Sequence, residues 1–558
     1  MALTSSQYSD SDLLGVDLVA DILSVSKRTV FKWIESGKLA PCPGENGERP
    51  RFQWGSLRHF PIVREMVDSR WEQEQRIEPR RPYRAIELFA GGGGLALGLE
   101  RAGFSSVLLN ECDRDSCATL RHNRPAWNVL EGDIAKFDFR EHRDIDFVSG
   151  GFLCQAFSYA GNKGGFADTR GTLFFEFARV ISETRPRVFL GENVRGLLTH
   201  DNGRTMETIC SVIAELGYTL IEPRVLKAIF FMVPQKRERL ALVGIRNDLL
   251  PFSEFHWPSP APRVYTLRDA LKKGGLFDCD VPLSPGQSYP KRKAEIISHV
   301  PPGGYWKDLP HKLQVEYMKG SYRLAGGKTG LARRLSWEAP SLTLTCAPAQ
   351  NQTERCHPEE SRPLTIREYA RIQTFPDNWR FAGNMASQYR QIGNAVPVNL
   401  AEALGRSLIS LLNSIEGHLP KQNPDYSEES RHAPSCFRYR RDQYVQMELQ
   451  LMEGNARILE DTPDTLHGTY RKACRDWIAE SLLYNYPMAA IEPDRLPQIR
   501  NIQYLLLTRQ DDPPMRFRVL HSSVVSAEYL KGLGYPLRAR TPSGKNYILY
   551  KLAKVGAI

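Results

Sequence analysis

No CxxC pair occurs in this chain, although it holds ten cysteines. Paired spacings of that kind mark structural zinc sites and redox couples, so their absence argues against both and for a reducing cytosol. Long apolar runs are also missing, and none approaches the roughly 18 residues that a membrane span needs. The start, MALTSSQYSDSDLLG, has neither a basic n-region nor an apolar h-region, so no secretory signal is expected. No internal repeat is evident. What the chain does have is length and positive charge. At 558 residues it exceeds one ordinary core, and roughly two to four domains are expected. Lysine and arginine outnumber the acids 74 to 64, a net charge of +10 that favours a polyanionic partner.

Residues 1–63 read as a small helical unit. Leu18–Leu23 predicts one short helix, and Lys27–Gly37 predicts a second that starts near an N-cap serine and stops at Gly37. GENGERPRFQW then reads as a turn and a strand. Lys27, Arg28 and Lys32 lie near helical spacing on one side of the second helix. They suit DNA contact, or simply a solvated basic face. Residues 64–82 read as a connector. From Tyr83 to about Arg246, short apolar strands alternate with helices, which predicts a parallel sheet with helices on both faces. The strands are Arg84–Phe89, Val107–Asn110, Asp146–Val148, Arg187–Leu190 and Arg239–Ile245. Residues 251–334 are rich in proline, glycine and charge and read as a separate small domain. Regular patterns return over 335–417. A polar linker is expected at 418–436 and a further α+β unit at 437–558.

Three features carry chemistry. IELFAGGGGLALGLERAGF puts glycines between a strand and a helix, where backbone amides can approach a ligand. A dinucleotide or a plain tight turn would suit the same run. A phosphate-binding lysine does not follow it, which disfavours a P-loop. Glu111 ends the second strand, where a carboxylate can bind ribose hydroxyls or stand as an exposed strand-end charge. Asp133 ends the third strand and could accept from an adenine amino group, and Phe89 could pack on that ring. Finally, GGFLCQAFS puts Cys154 on a loop just after a strand, where a thiol can act as a nucleophile.

FAGGGG, GGFLCQAFS, GENVRGL, VPQKRERLALVG, RPLTIREYARIQTFP and RQIGNAVPV together resemble the successive motifs of the bacterial C5-cytosine DNA methyltransferases. They keep that family's order and span roughly Arg84–Ile415. The resemblance implies a Rossmann-like S-adenosylmethionine-dependent α/β domain with a target-recognition domain at about 251–334. It implies methylation of carbon 5 of a flipped-out cytosine in double-stranded DNA, with a restriction–modification role and a cognate endonuclease as a possible partner. Cys154 takes the nucleophile position, which adds to carbon 6 of the ring. Glu192 takes the place of the acid that holds cytosine N3 and N4. Arg237 and Arg239 match the arginine pair that supports the base and the loop, and Asn193 would order the loop. Gln155 and Ser158 sit on the loop that closes over DNA, and Gln235 is placed with the DNA contacts. The cofactor pocket would be built from Phe89, Ala90, Gly91, Gly93, Gly94, Leu95, Glu111, Asp133 and Ile134, and completed by Asn394 and Val396. No metal is implied. SKRTVFKWIESGKL resembles the recognition helix of excisionase-like, MerR-type helix-turn-helix domains, which implies operator binding. A cytoplasmic, bacterial protein follows from the same likeness. Two other functions fit parts of the pattern: a catalytically weakened DNA-binding regulator, and a tRNA cytosine-C5 methyltransferase.

The chain departs from the family pattern at two places. Phe231–Met232 stands where an aromatic and a glycine are frequent, and local repacking is expected. More telling, Leu153–Cys154–Gln155 replaces Pro-Cys-Gln. Proline fixes φ and removes an amide donor, so leucine leaves the backbone before the thiol looser. A slower enzyme is expected, and Leu153→Pro should raise turnover in a labelled-methyl assay. An unchanged or lower rate would contradict this reading.

Overall fold

A computed structural model of the chain describes residues 7–42, 50–152, 173–323 and 330–418, together with the backbone of five strands between 465 and 554. The chain divides into two compact units. One comprises Met1–Ile22, Ala40–Arg195 and Val212–Phe437, and the other comprises Leu23–Leu39, Gly196–Ser211 and Arg438–Ile558.

An eight-stranded mixed sheet organises the first unit. Across it run Val129–Glu131, Phe104–Glu111, Tyr83–Leu88, Phe147–Gly151, Val188–Asn193, Glu238–Arg246 and Tyr218–Leu220, and Arg224–Lys227 also pairs with Glu238–Arg246. The first five of these strands are parallel. The last three pair antiparallel, which differs from the parallel sheet expected. The cause is connection length. Arg224–Lys227 returns to Glu238–Arg246 through the ten residues 228–237, shorter than the crossover of a dozen or so residues that a parallel neighbour needs, and Tyr218–Leu220 lies in line with Arg224–Lys227 along the same strand. The order of strands reverses beside Tyr83–Leu88, so the carboxyl ends of that strand and its neighbours form the crevice where open α/β sheets bind ligands.

The segments before and after residues 251–334 share one core. Leu109 and Leu120 are buried together with Ile366, Phe375, Trp379 and Ile392. Leu267, Ala270 and Leu271 belong to this core as well, so the small lobe is narrower at its start than 251–334. That lobe has a separate core in which Tyr289, Ile297, Trp306, Met318 and Ala332 pack with Cys356, beyond its expected end. Glu354, fully buried there, accepts from the Ala332 amide at 2.6 Å and also from the Tyr317 hydroxyl and the Lys293 ammonium. Met232 has φ 54, the backbone region that glycine adopts freely.

Residues 64–82 are folded rather than a bare connector. Trp71 is buried, its ring centroid 6.4 Å from that of Phe231, and the Glu74 carboxylate accepts from the Ser259 amide at 2.9 Å. Near the N-terminus, Leu13–Gly15 pairs antiparallel with Arg51–Gln53, and the helix Val16–Ile22 follows. The expected second helix is Lys27–Glu35, where the Ser26 side chain accepts from the Thr29 amide. The two helices fall in different units. The stretch Met385–His418, two successive helices, reaches the length and apolarity of a membrane span by composition only, and 78% of its apolar window is buried inside the protein, as a core helix is. In the second unit, strands Thr465–Thr469, Tyr504–Arg509, Asp512–Ser526, Asn546–Lys554 and Leu483–Pro487 form one mixed sheet in that order.

Helix Gly94–Ala102 packs on Val398–His418 at very short range. A Cβ added at Gly98 would lie 2.4 Å from Ala401 Cβ and 2.6 Å from Val398 O. Helix propensity favours alanine over glycine by about 1 kcal/mol, whereas overpacking costs about 1–3 kcal/mol. Gly98→Ala should therefore lower the denaturant midpoint, and a raised midpoint would show that the helices can part freely.

Candidate active site

Gly151 and Glu192 are register partners on adjacent parallel strands, and both stand at carboxyl ends. A Cβ on Gly151 would sit 2.9 Å from Glu192 Oε2, so the missing side chain makes room for this carboxylate. Its other oxygen, Oε1, lies 2.6 Å from Arg239 Nε but has no well-aligned hydrogen bond. The Glu192 side chain is only 15% exposed. Burial raises its pKa, and the charges of Arg239 and Arg237 oppose that rise without cancelling it. A carboxyl shifted upward in this way is better suited to general acid chemistry than one in water.

The two arginines do different work. Arg239 touches Glu192 and also donates to the Glu238 carbonyl at 2.8 Å. Arg237 is buried, and its guanidinium donates to the carbonyls of Leu344 at 3.4 Å and Asn394 at 3.2 Å. It thereby ties the strand region to two segments far along the chain. Burial, with Arg239 beside it, pulls its pKa down to about 9, which leaves it charged at neutral pH. Asn193 is buried, and its Nδ2 donates to Phe152 O at 2.7 Å, two residues before Cys154. Cys154, Gln155, Ser158 and Leu153 lie outside the described residues.

Gln235 requires a correction. It was placed with the DNA contacts, yet it is fully buried. Its Nε2 donates to Gln373 Oε1 at 2.8 Å and its Oε1 accepts from the Leu344 amide at 2.9 Å. A side chain engaged in this way joins two parts of the core and is not presented to a duplex. Lys27 and Arg28 are exposed and Lys32 is half-buried on their helix.

The glycine-rich loop follows Tyr83–Leu88. Phe89 and Gly91 have φ of 59 and 53. The Gly91 amide donates to Glu111 Oε2 at 2.7 Å, and Glu111 Oε1 accepts from the amides of Cys112 and Asp113 at 2.9 and 2.8 Å. Open space faces Gly91, where an added Cβ would meet nothing within 4 Å. Gly93 and Gly94 instead serve internal packing. A Cβ on Gly93 would come within 2.8 Å of Leu120 and Trp379, and one on Gly94 within 2.2 Å of Val396 O. Trp379 Nε1 also donates to Gly92 O at 3.2 Å. Ala90, Leu95 and Ile134 are buried, Asp133 is exposed with Oδ1 accepting from the Ala135 amide at 3.1 Å, and the exposed Asn394 accepts from Cys346 Sγ at 3.1 Å.

This geometry coincides with clear likenesses. The family model of the C-5 cytosine-specific DNA methylases matches residues 83–410. Type II methyltransferase M.Eco47II of Escherichia coli is 61% identical over 398 residues, or 71% of this chain and 95% of that protein. Type II methyltransferase M.PspPI of Psychrobacter sp. (strain TA137) is 58% identical over 398 residues, 71% of this chain and 96% of that one. Type II methyltransferase M.Sau96I of Staphylococcus aureus is 48% identical over 341 residues, covering 60% and 78%. The chain belongs to the C-5 cytosine-specific DNA methylases.

This C-5 cytosine methylase is an S-adenosylmethionine-dependent DNA methyltransferase of the restriction–modification type, and DNA is its substrate. The loop suits that cofactor. Glu111 has an oxygen with a lone pair to spare for a sugar hydroxyl, because Oε2 accepts only one backbone amide. Beside it, Glu87 was missed in reading the sequence. It is fully buried on Tyr83–Leu88, and burial, reinforced by the nearby Glu111 charge, pushes its pKa well up. The nearest sequence signal was its place in IELFAGGGG, which by itself says nothing of burial. Gly151 was missed for the same reason, since only its strand register shows what it faces. Gly151→Ala should push the Glu192 carboxyl aside and cut turnover by about tenfold or more, with thermal stability little changed. Wild-type turnover in a labelled-methyl assay would show that the carboxyl tolerates displacement.

Proposed function

We propose that this methyltransferase works through a transient covalent bond between Cys154 and carbon 6 of an extruded cytosine in a specific duplex sequence. The observation that supports this most is the buried Glu192, wedged between Arg239 and Gly151 at the end of the strand next to the one leading to Cys154. A free cysteine has a pKa near 8.5, so a minor thiolate fraction is present at neutral pH and is already strongly nucleophilic. The thiolate adds to carbon 6 while the Glu192 carboxyl delivers its proton to N3. The ring's electron pair then resides at carbon 5. Bound S-adenosylmethionine supplies the electrophilic methyl group. Loss of the carbon 5 proton to water re-forms the double bond to carbon 6 and expels the Cys154 sulfur as thiolate, while N3 returns its proton to Glu192.

Arg239 holds the Glu192 carboxyl in place, Arg237 joins its strand to the closing segments, and Asn193 anchors the backbone ahead of the thiol. Gln155 and Ser158 act on the closing loop. Glu111 holds the cofactor's ribose, with Phe89, Ala90, Gly91, Leu95, Asp133, Ile134, Asn394 and Val396 around it. The lobe with its own small core reads the target site. The partition into seven segments, operator binding by residues 1–63 through Lys27, Arg28 and Lys32, a cognate endonuclease and a bacterial cytoplasmic setting complete the reading. Duplex DNA carrying 5-fluorocytosine blocks loss of the group at carbon 5 and should trap the chain covalently at Cys154. Cys154→Ala should abolish both trapping and methyl transfer. Methyl transfer that survives Cys154→Ala would overturn the covalent mechanism, and label appearing in RNA alone would overturn the substrate.

A further inference from the structure

The N-terminal helix Val16–Ile22 brings a carboxylate to the catalytic unit that the reaction above does not use. Asp21 is 13% exposed, and its Oδ1 lies 2.6 Å from Lys236 Nζ. Its Oδ2 is buried without a hydrogen-bond partner. Arg333 acts on the same carboxylate by its charge. It lies at the edge of the recognition lobe, its guanidinium 5.8 Å from the Tyr305 ring centroid.

The position of Lys236 makes this pair interesting. It stands between the buried Gln235 and the buried Arg237. With Gln235 it forms a two-residue strand that pairs in parallel with Ser341–Leu342. Its carbonyl accepts from the Thr343 hydroxyl. Three residues further on, Arg239 meets Glu192. The strand therefore has short backbone pairing on one side and, at its second residue, an ion pair to Asp21. Asp21 is shielded while Lys236 is 32% exposed, so losing the carboxylate frees the lysine to swing into solvent and loosens the backbone that bears it.

We infer that Asp21 is a positioning residue for methyl transfer: by holding Lys236 it keeps the Gln235–Arg239 segment in the register that sets Arg239 against Glu192. The inference rests on the role given to Glu192 above. In it the N-terminal helix is part of the catalytic apparatus, acting on the same chain.

The test uses the full-length protein, with rates normalised to S-adenosylmethionine-binding sites counted by calorimetry. Asp21→Asn should lower kcat by about tenfold and leave the KM for S-adenosylmethionine within about twofold. Lys236→Met should do the same, and the double variant should be no worse than either single one, since both remove one interaction. Normal turnover per site in Asp21→Asn, with only the melting temperature lowered, would make Asp21 a structural brace and overturn the inference. Additive losses in the double variant would overturn it as well. Trapping with the fluorinated duplex separates the two proposals. If the parent chain transfers methyl groups but is never trapped, the covalent mechanism fails, whereas the comparison of normalised rates still decides the role of Asp21.

Discussion

A carboxyl group kept from water, with a guanidinium against one oxygen and a glycine beneath the other, is the constraint on which the catalytic arrangement depends. Two opposing effects act on Glu192. Removing it from solvent favours the neutral acid, and Arg239 and Arg237 favour the anion. The net effect is upward, so the fold favours the protonated form more than water does. Arg239 must remain close enough to orient the group without drawing it fully into an ion pair. The position of Arg239 is therefore as important as its charge.

That position is secured from several directions. Arg237 commits its guanidinium to the backbone carbonyls of Leu344 and Asn394, far along the chain. Gln235 bridges Gln373 and the Leu344 amide. A segment rich in polar side chains is thus held mostly by bonds to the protein itself. Buried polar groups of this kind fix a register well, because every slip would leave donors unpaired. The same logic holds at the cofactor loop, where Trp379 donates to Gly92 O and Val396 O crowds Gly94. Segments remote in sequence close over the loop, and the glycines allow that approach.

The small lobe is built differently. Its small core is separate, and its one fully buried acid, Glu354, is answered by Lys293, Tyr317 and a backbone amide. A lobe with a core of its own can vary its surface without disturbing the catalytic sheet. The N-terminal segment is bound more closely to the catalytic part, through Asp21 on Lys236, the Tyr8 hydroxyl on the Val264 carbonyl and Glu74 on Ser259.

Much of this was legible from the chain alone. Alternating strands and helices between Tyr83 and Arg246 lie within a few residues of where they were expected, because apolar periodicity and glycine stops are local signals. The order of chemistry-bearing motifs was enough to name the reaction, since cysteine, acid, arginines and glycine loop each suit one step of it. Other features were hidden. Nothing local reveals that the last three strands turn antiparallel, that Gln235 faces inward, that Gly93 and Gly94 meet protein, or that Gly151 lies under Glu192. Those facts depend on which distant residues arrive at the same place. Sequence by itself determined the family and the reaction and pointed to candidate reactive groups. Only tertiary structure decided which of those groups are desolvated, paired or turned away, because burial and register arise from contacts between segments far apart along the chain.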